Sequence, residues 1–306
     1  TNLLSLPPGI RDVIRQYDIQ LGTSVDPLGI DRLDQAGNSL FLRWARTYLD
    51  LARTGTAPGA IYVVTRNSNG RAEEIYSLCE AVGNLASERF SLQINHVYQQ
   101  GRAARSDGEL AITPREYGRF LVDIWNIWER RGRSIALSPI AAFADHFGTR
   151  GATDGGGPDL NCSLHGDCAR THVGIDMDLN VAACGRRLDS NGYIGNLRTD
   201  ALLALLESGE EILAIEKRSS GMLMRTPCVA CAYTSLCRGG CPDDAWIAYG
   251  DLSRPHPWCE SYQMLFAAMQ KEGATRRRPP APLPIKPPAD SPKPRIVLAH
   301  GVAELP

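Results

Sequence analysis

The sequence predicts an α/β fold followed by a metal-binding region, and three observations carry that prediction. Between Asp18 and Gly132, short strand-like stretches alternate with longer helix-like ones. Such alternation argues for parallel strands with crossover helices, as an open sheet or part of a barrel. From Cys228 to Cys241, four thiols fall within fourteen residues, separated by two, five and three others. That is metal-ligand spacing: a short gap lets one loop present two sulfurs, and longer gaps let the chain wrap round to supply the rest. From Gly273 onward prolines crowd the chain, at positions 279, 280, 282, 284, 287, 288, 292 and 294, a composition that cannot bury a core.

In chain order, Asp18 to Asp26 places Ile19, Leu21, Thr23 and Val25 on one face at a two-residue period, which suits a strand. Asn38 or Ser39 is positioned to cap a helix with apolar Phe41, Ala45, Tyr48, Leu49 and Ala52 that stops before Gly55. Ala60 to Thr65 is the next strand, a helix from Ala72 to Val82 ends at Gly83, and Phe90 to Asn95 starts the unit over. Pro114 belongs in the first turn of a further helix reaching Trp128, with Gly132 just past its end. Ligands of such folds sit at the carboxyl ends of the strands, where Ser24, Asp26, Thr65, Asn67 and Asn95 fall. Ser138 to Phe143 leads toward the cysteines, and Thr199 to Arg218 reads as one amphipathic helix whose apolar face packs. In the tail, Ile296-Val-Leu298 is suited to adding to a sheet edge.

The 306 residues allow roughly two domains. Lys plus Arg number 33 and Asp plus Glu 34, so a net charge of -1 makes no case for nucleic acid or an acidic membrane surface. No apolar run approaches the roughly 20 residues that span a bilayer. Nine cysteines without a secretory signal point to a reducing, cytoplasmic setting, where thiols serve as metal ligands instead of disulfides. The chain opens on Thr1 instead of Met, and further residues upstream are expected.

Cys162, Cys168, Cys184 and Cys259 widen the group to eight thiolates, enough for two fully ligated sites whose ligands interleave. Spacing alone leaves structural zinc and iron-sulfur clusters both open. Cys79, on the apolar face of its helix, reads as a small buried hydrophobe. His165, His172 and His256 lie near the cysteines, where they are suited to hydrogen-bond metal-bound sulfur or substrate, while eight thiols suffice without ligation by any of them. Trp246 and Trp258 are expected to shield the metal from water.

The order Cys162-x5-Cys168-x15-Cys184, a gap, then Cys228-x2-Cys231-x5-Cys237-x3-Cys241-x17-Cys259 resembles the SPASM extension of radical S-adenosylmethionine (AdoMet) enzymes, specifically that of anaerobic sulfatase-maturing enzymes. The resemblance implies two auxiliary [4Fe-4S] clusters, one held by Cys162, Cys168, Cys184 and Cys241, the other by Cys228, Cys231, Cys237 and Cys259. Leu21-Gly-Thr-Ser-Val-Asp-Pro27, Val63-Val-Thr-Arg-Asn67, Ile94-Asn-His-Val-Tyr98 and Thr113 to Leu121 likewise resemble the second half of that family's partial (β/α)6 barrel. By this likeness Ser24 approaches the AdoMet ribose, and the domains run 1–135 (barrel), 136–161 (connector) and 162–272 (SPASM), with 273–306 expected from its prolines to be a disordered tail.

Two departures qualify the resemblance. The family's Cys-x3-Cys-x2-Cys loop, which holds a third [4Fe-4S] cluster that cleaves AdoMet, does not occur in these residues, nor does its Gly-Gly-Glu motif. The family's catalytic Asp after the third cysteine is Gly185 here, followed by Arg186 and Arg187, and the glycine five residues ahead of that cysteine is Leu179. Asp176, Asp178 and Asp189 are nearby carboxylates among which nothing selects a base. The implied function is oxidative modification or crosslinking of a peptide or protein substrate, with an electron donor such as flavodoxin or ferredoxin. The alternative is a non-catalytic iron-sulfur protein that carries electrons or binds a peptide.

Overall fold

The structure, a computed structural model, describes residues 2–97, 108–149, 164, 168, 172–190, 192–220, 227–275 and 297–298. It divides into two compact units, Thr1–Phe147 with Glu260–Lys271, and Gly148–Cys259 with Glu272–Pro306.

In the first unit, helix α1 (Pro8–Gln16) leads into strands β1 (Gly22–Val25), β2 (Gly59–Val64), β3 (Ser91–His96) and β4 (Ala136–Ser138). The four pair in chain order and all in parallel, with Thr23 beside Ala60, Tyr62 beside Ile94, and Leu92 beside Leu137. Each crossover carries a helix: α2 (Phe41–Ala52), α3 (Ala72–Ala86) and α4 (Pro114–Arg130), with α5 (Ile140–Thr149) following β4. The mixed α/β fold with a parallel sheet expected from the alternation is therefore present.

The strands form where β-branched and aromatic residues alternate with smaller ones. Ala60, Tyr62 and Val64 of β2 are buried, as are Leu92, Ile94 and His96 of β3. Helix α4 starts at a capping box, in which Thr113 Oγ1 accepts from the Glu116 amide at 3.2 Å while Glu116 accepts from the Thr113 amide at 2.9 Å. Pro114 fills the first turn, and α4 buries Tyr117, Phe120, Leu121, Ile124, Trp125 and Trp128. Trp128 Nε1 donates to the Ile135 carbonyl at 2.7 Å and Trp44 Nε1 to Thr23 Oγ1 at 3.0 Å, so both indoles enter the core with their polar atom satisfied.

Three elements differ from expectation. Strand β1 begins only at Gly22, because Asp18 adopts a left-handed φ of 47° and Ile19 is exposed. Helix α2 is preceded by Leu40 with no side-chain cap, although Ser39 Oγ accepts from the Phe41 amide at 3.2 Å; its buried stripe is Trp44, Tyr48, Leu51 and Ala52. Helix α3 runs through Gly83 to Ala86, since this glycine lets the helix close on the next strand: a Cβ there would lie 2.9 Å from the Glu88 carbonyl and 3.0 Å from Phe90.

The second unit holds strands β5 (Gly174–Ile175), β6 (Asn180–Ala182), β7 (Tyr193–Asn196) and β8 (Val297–Leu298), in the order β7-β6-β5-β8. β5, β6 and β7 are antiparallel, while Val297 and Leu298 join the free edge of β5 in parallel. The expected helix from Thr199 to Arg218 is two helices, α6 (Leu202–Ser208) and α7 (Glu210–Ser220), broken where Gly209 is extended at ψ 124°. Helices α8 (Thr234–Cys237) and α9 (Pro242–Tyr249) follow, then α10 (Cys259–Thr275), whose residues 260–271 belong to the first unit. No helix among the described residues is long and apolar enough to cross a membrane.

Candidate metal centres and the polar site at the strand ends

Within the first unit, the ends of β1 and β2 carry one connected polar group. Asp26 Oδ2 accepts from the amides of Asp31 and Arg32 at 2.8 and 3.0 Å, closing the loop after β1. Asp31 in turn accepts from Thr65 Oγ1 and from Asn67 Nδ2, each at 2.7 Å. Arg32 Nη1 donates to the Ser24 carbonyl at 3.2 Å, and Ser24, Asp26, Arg32, Leu40, Phe41 and Trp44 line a small cleft. Of the five strand-end residues singled out from the sequence, Asp26, Thr65 and Asn67 thus meet through Asp31, and Ser24 faces the cleft. Asn95 stands apart, accepting from Gln93 Nε2 at 3.1 Å.

Cys79 lies outside both groups. It is buried in α3, and that burial pushes its thiol well above the ordinary value.

In the second unit the loop from Cys228 to Cys241 is a chain of tight turns. The Cys231 amide donates to the Cys228 carbonyl at 3.1 Å, Cys237 N to Tyr233 O at 3.1 Å, and Gly240 N to Cys237 O at 2.6 Å. Arg238, Gly239 and Gly240 follow one another with φ of 47°, 80° and 72°. Gly240 is required for a second reason: a Cβ there would stand 2.3 Å from the His256 ring, whose residue also donates its amide to the Gly239 carbonyl at 2.9 Å. The placement of His256 against the loop is thus structural.

Burial pushes the Cys237 thiol up to about 12, with Cys259, Cys228 and Cys231 adding to the rise through their charge. Cys259 is raised by burial and then by Cys228 and Cys231. These four, one of the sets implied by the resemblance, therefore lie within electrostatic reach of one another. Of the other set, Cys162 lies outside the described residues, as does His165. Cys184 and Cys241 are joined through Arg186, two residues beyond Cys184, whose Nη1 donates toward Cys241 Sγ at 3.6 Å. Burial raises the Cys241 thiol well above its ordinary value, Asp244 adding and Arg186 opposing. Cys168, half-buried, shares a neighbour with Cys241, Cys228 and Cys237: the guanidinium of Arg218.

Around Cys241 the charges are paired and mostly buried. Arg186 binds Asp244 at 2.8 Å and Asp243 at 3.0 Å; Arg187 binds Glu211 at 2.5 Å and lies 4.6 Å over the Trp246 ring. Burial raises the carboxyls of Asp243 and Glu211 against the pull of these arginines. Asp176 is spent on the β5–β6 turn, where Asn180 and the Asp178 amide hold its carboxyl low. Sequence reasoning missed Arg186, Arg218, Asp243 and Asp244, since their burial depends on partners distant in the chain. Only the pair Arg186-Arg187, two residues past a ligand-spaced cysteine, hinted at it.

The donor set fits iron-sulfur cubes. The cysteines described in this region form no disulfide, and the Arg218 guanidinium, whose buried Nε lacks an acceptor among the described residues, is coupled by charge to four of them. Among the described residues, no three His, Cys, Asp or Glu side chains stand close enough to hold a single metal ion. A cube is ligated at four corners, so its thiolates stand further apart than the donors of one ion.

Two departures from the resemblance acquire a physical setting. Leu179 takes a left-handed φ of 65°, the conformation that a glycine favours. Gly185 leaves open space for a Cβ, while Gly174 of β5 packs so tightly on it that a Cβ there would lie 2.6 Å from the Gly185 Cα.

The chain thus combines a parallel α/β sheet with a thiol-rich second unit, and comparison with known proteins finds it similar to anaerobic sulfatase-maturating enzymes. The chain is 26% identical, over 154 residues, to the serine-type anaerobic sulfatase-maturating enzymes of Klebsiella pneumoniae and Klebsiella aerogenes, covering 49% of this chain. The match spans only 35% and 34% of those relatives' length. Its fold is that of native anSMEcpe solved with bound AdoMet and the Cp18Cys peptide, at TM-score 0.70 and 18% identity, over 90% of this chain and 74% of that one. Native anSMEcpe with bound AdoMet gives TM-score 0.69 and 17% identity, over 90% and 72%. No family model matches.

Proposed function

We propose that this chain serves a radical AdoMet/SPASM enzyme that oxidatively modifies or crosslinks a peptide or protein. In this reading the parallel strands are the later strands of a partial (β/α)6 barrel, and Ser24 in the cleft at their ends contacts AdoMet. Cys162, Cys168, Cys184 and Cys241 hold one auxiliary [4Fe-4S] cluster, and Cys228, Cys231, Cys237 and Cys259 the other. Bound clusters would supply one-electron chemistry, accepting the electron left as the substrate is oxidised, and a flavodoxin or ferredoxin would serve as the enzyme's electron donor. The chain's own work is positional. Arg186 ties the Cys184 loop to Cys241, Gly239 and Gly240 turn the chain between the two ligand sets, and buried side chains exclude water.

The observation that carries the reading is the mutual reach of Cys228, Cys231, Cys237 and Cys259 across thirty-two residues of chain, on a fold shared with a peptide- and AdoMet-bound enzyme. With Gly185 where the resembling enzymes carry Asp, crosslinking is favoured over formylglycine formation. Anaerobic isolation with iron and sulfide analysis tests the reading: about eight irons per chain with matching acid-labile sulfide are expected from one cube per four thiolates. A colourless protein containing zinc and no sulfide overturns it.

A further inference from the structure

Arg218 is fully buried, at 0% exposure, near the end of α7. Its Nη1 donates to the Gly240 carbonyl at 2.7 Å, and its Nη2 to the carbonyls of Gly239 at 2.7 Å and Arg254 at 2.9 Å. Every one of these acceptors is neutral. Nε is also buried and has no acceptor among the described residues. A guanidinium enclosed by carbonyls alone is costly, because nothing replaces the solvation of its charge. Among the described residues the carboxylate whose charge acts on it is Asp251, which is exposed and screened by water, and Asp251 also holds its own loop through Ser253. The fork grips the turn between Cys237 and Cys241, and those two thiols, with Cys168 and Cys228, would act on the Arg218 charge once ionised or ligated. They come from both of the ligand sets assigned above.

We infer that Arg218 is a positioning residue and the buried counter-ion of both auxiliary clusters, its fork fixing the Gly239–Gly240 turn between Cys237 and Cys241 and its charge setting their reduction potentials. This rests on the cluster reading. A thiolate-ligated cube carries net negative charge that grows when it gains an electron, so a fixed cation nearby favours the reduced form and raises the potential. The three carbonyl bonds explain the planar fork, while the charge explains why an arginine is buried here at all.

The test is an EPR-monitored redox titration of the anaerobically reconstituted chain, comparing wild type, Arg218→Gln and Arg218→Lys, with iron and sulfide determined on each. Arg218→Gln is expected to lower the reduced-to-oxidised ratio of both clusters at least tenfold at fixed potential, a fall of about 59 mV for one electron. Arg218→Lys is expected to recover most of that shift. A glutamine variant that fails to load while the lysine variant loads also supports the charge role. Unchanged potentials in a fully loaded Arg218→Gln overturn it, and so does equal failure of both variants to load, which would leave only the fork's packing. A wild-type chain that takes up no iron and sulfide overturns the cluster assignment beneath the inference.

Discussion

The turn at Gly240 permits a substitution whose cost divides into two parts. Gly240→Ala imposes a left-handed φ of 72° on an L-residue, which costs about 1–2 kcal/mol. It also drives a methyl to within 2.3 Å of the His256 ring, an overlap that costs a further ~1–3 kcal/mol as His256 is displaced. Gly250, in the same unit, has a φ of 65° and nothing within 4 Å of its Cβ direction, so Gly250→Ala incurs the backbone cost alone. The two variants therefore share one penalty and differ in the other. Equilibrium urea unfolding of the loaded chain should place Gly240→Ala below Gly250→Ala by ~1–3 kcal/mol, with iron content falling only in the former. Equal losses in the two would refute the close approach of His256 to the loop, and with it the account of how the chain turns between Cys237 and Cys241.

Leu179→Gly relieves a left-handed φ at about 1–2 kcal/mol and returns roughly half of it as chain entropy, so a gain near 0.5–1 kcal/mol is expected. Leu179→Val, which is branched at Cβ, should instead destabilise the β5–β6 turn, and thermal unfolding of the pair checks the ordering. Burial raises the Cys79 thiol above its usual 9.0, so the unfolded chain releases this proton first. The stability it contributes is whole below pH 9 and falls by about 1.4 kcal/mol per unit above it. Cys79→Ala should flatten the alkaline limb of the urea midpoint between pH 9 and 10, and an identical slope in the variant would count against a buried thiol there.

Much of the first unit was legible because local pattern and tertiary packing agree. β2, β3 and α4 lie within a residue or two of where their periodicity put them, and Thr113, Pro114 and Glu116 announce the start of α4 within four residues. Two of the misplacements came at glycines, whose role depends on what lies opposite. Gly83 continues a helix because Phe90 needs the room, while Gly209 interrupts one. The cysteine spacing pointed to metal without choosing one, and the resemblance alone divided the eight into sets. Arg218 was invisible, since its acceptors lie twenty-one, twenty-two and thirty-six residues away and no local pattern records a buried cation.

Cys237 and Cys241, assigned to different cubes, are joined by four peptide steps, which even a straight chain could stretch to only about 14 Å. The hydrogen bond from Gly240 back to Cys237 shortens that leash further. On the proposed assignment the spacing of the two cubes is written into covalent structure, so a one-residue insertion beside Gly239 would change the gap between them while leaving every ligand in place.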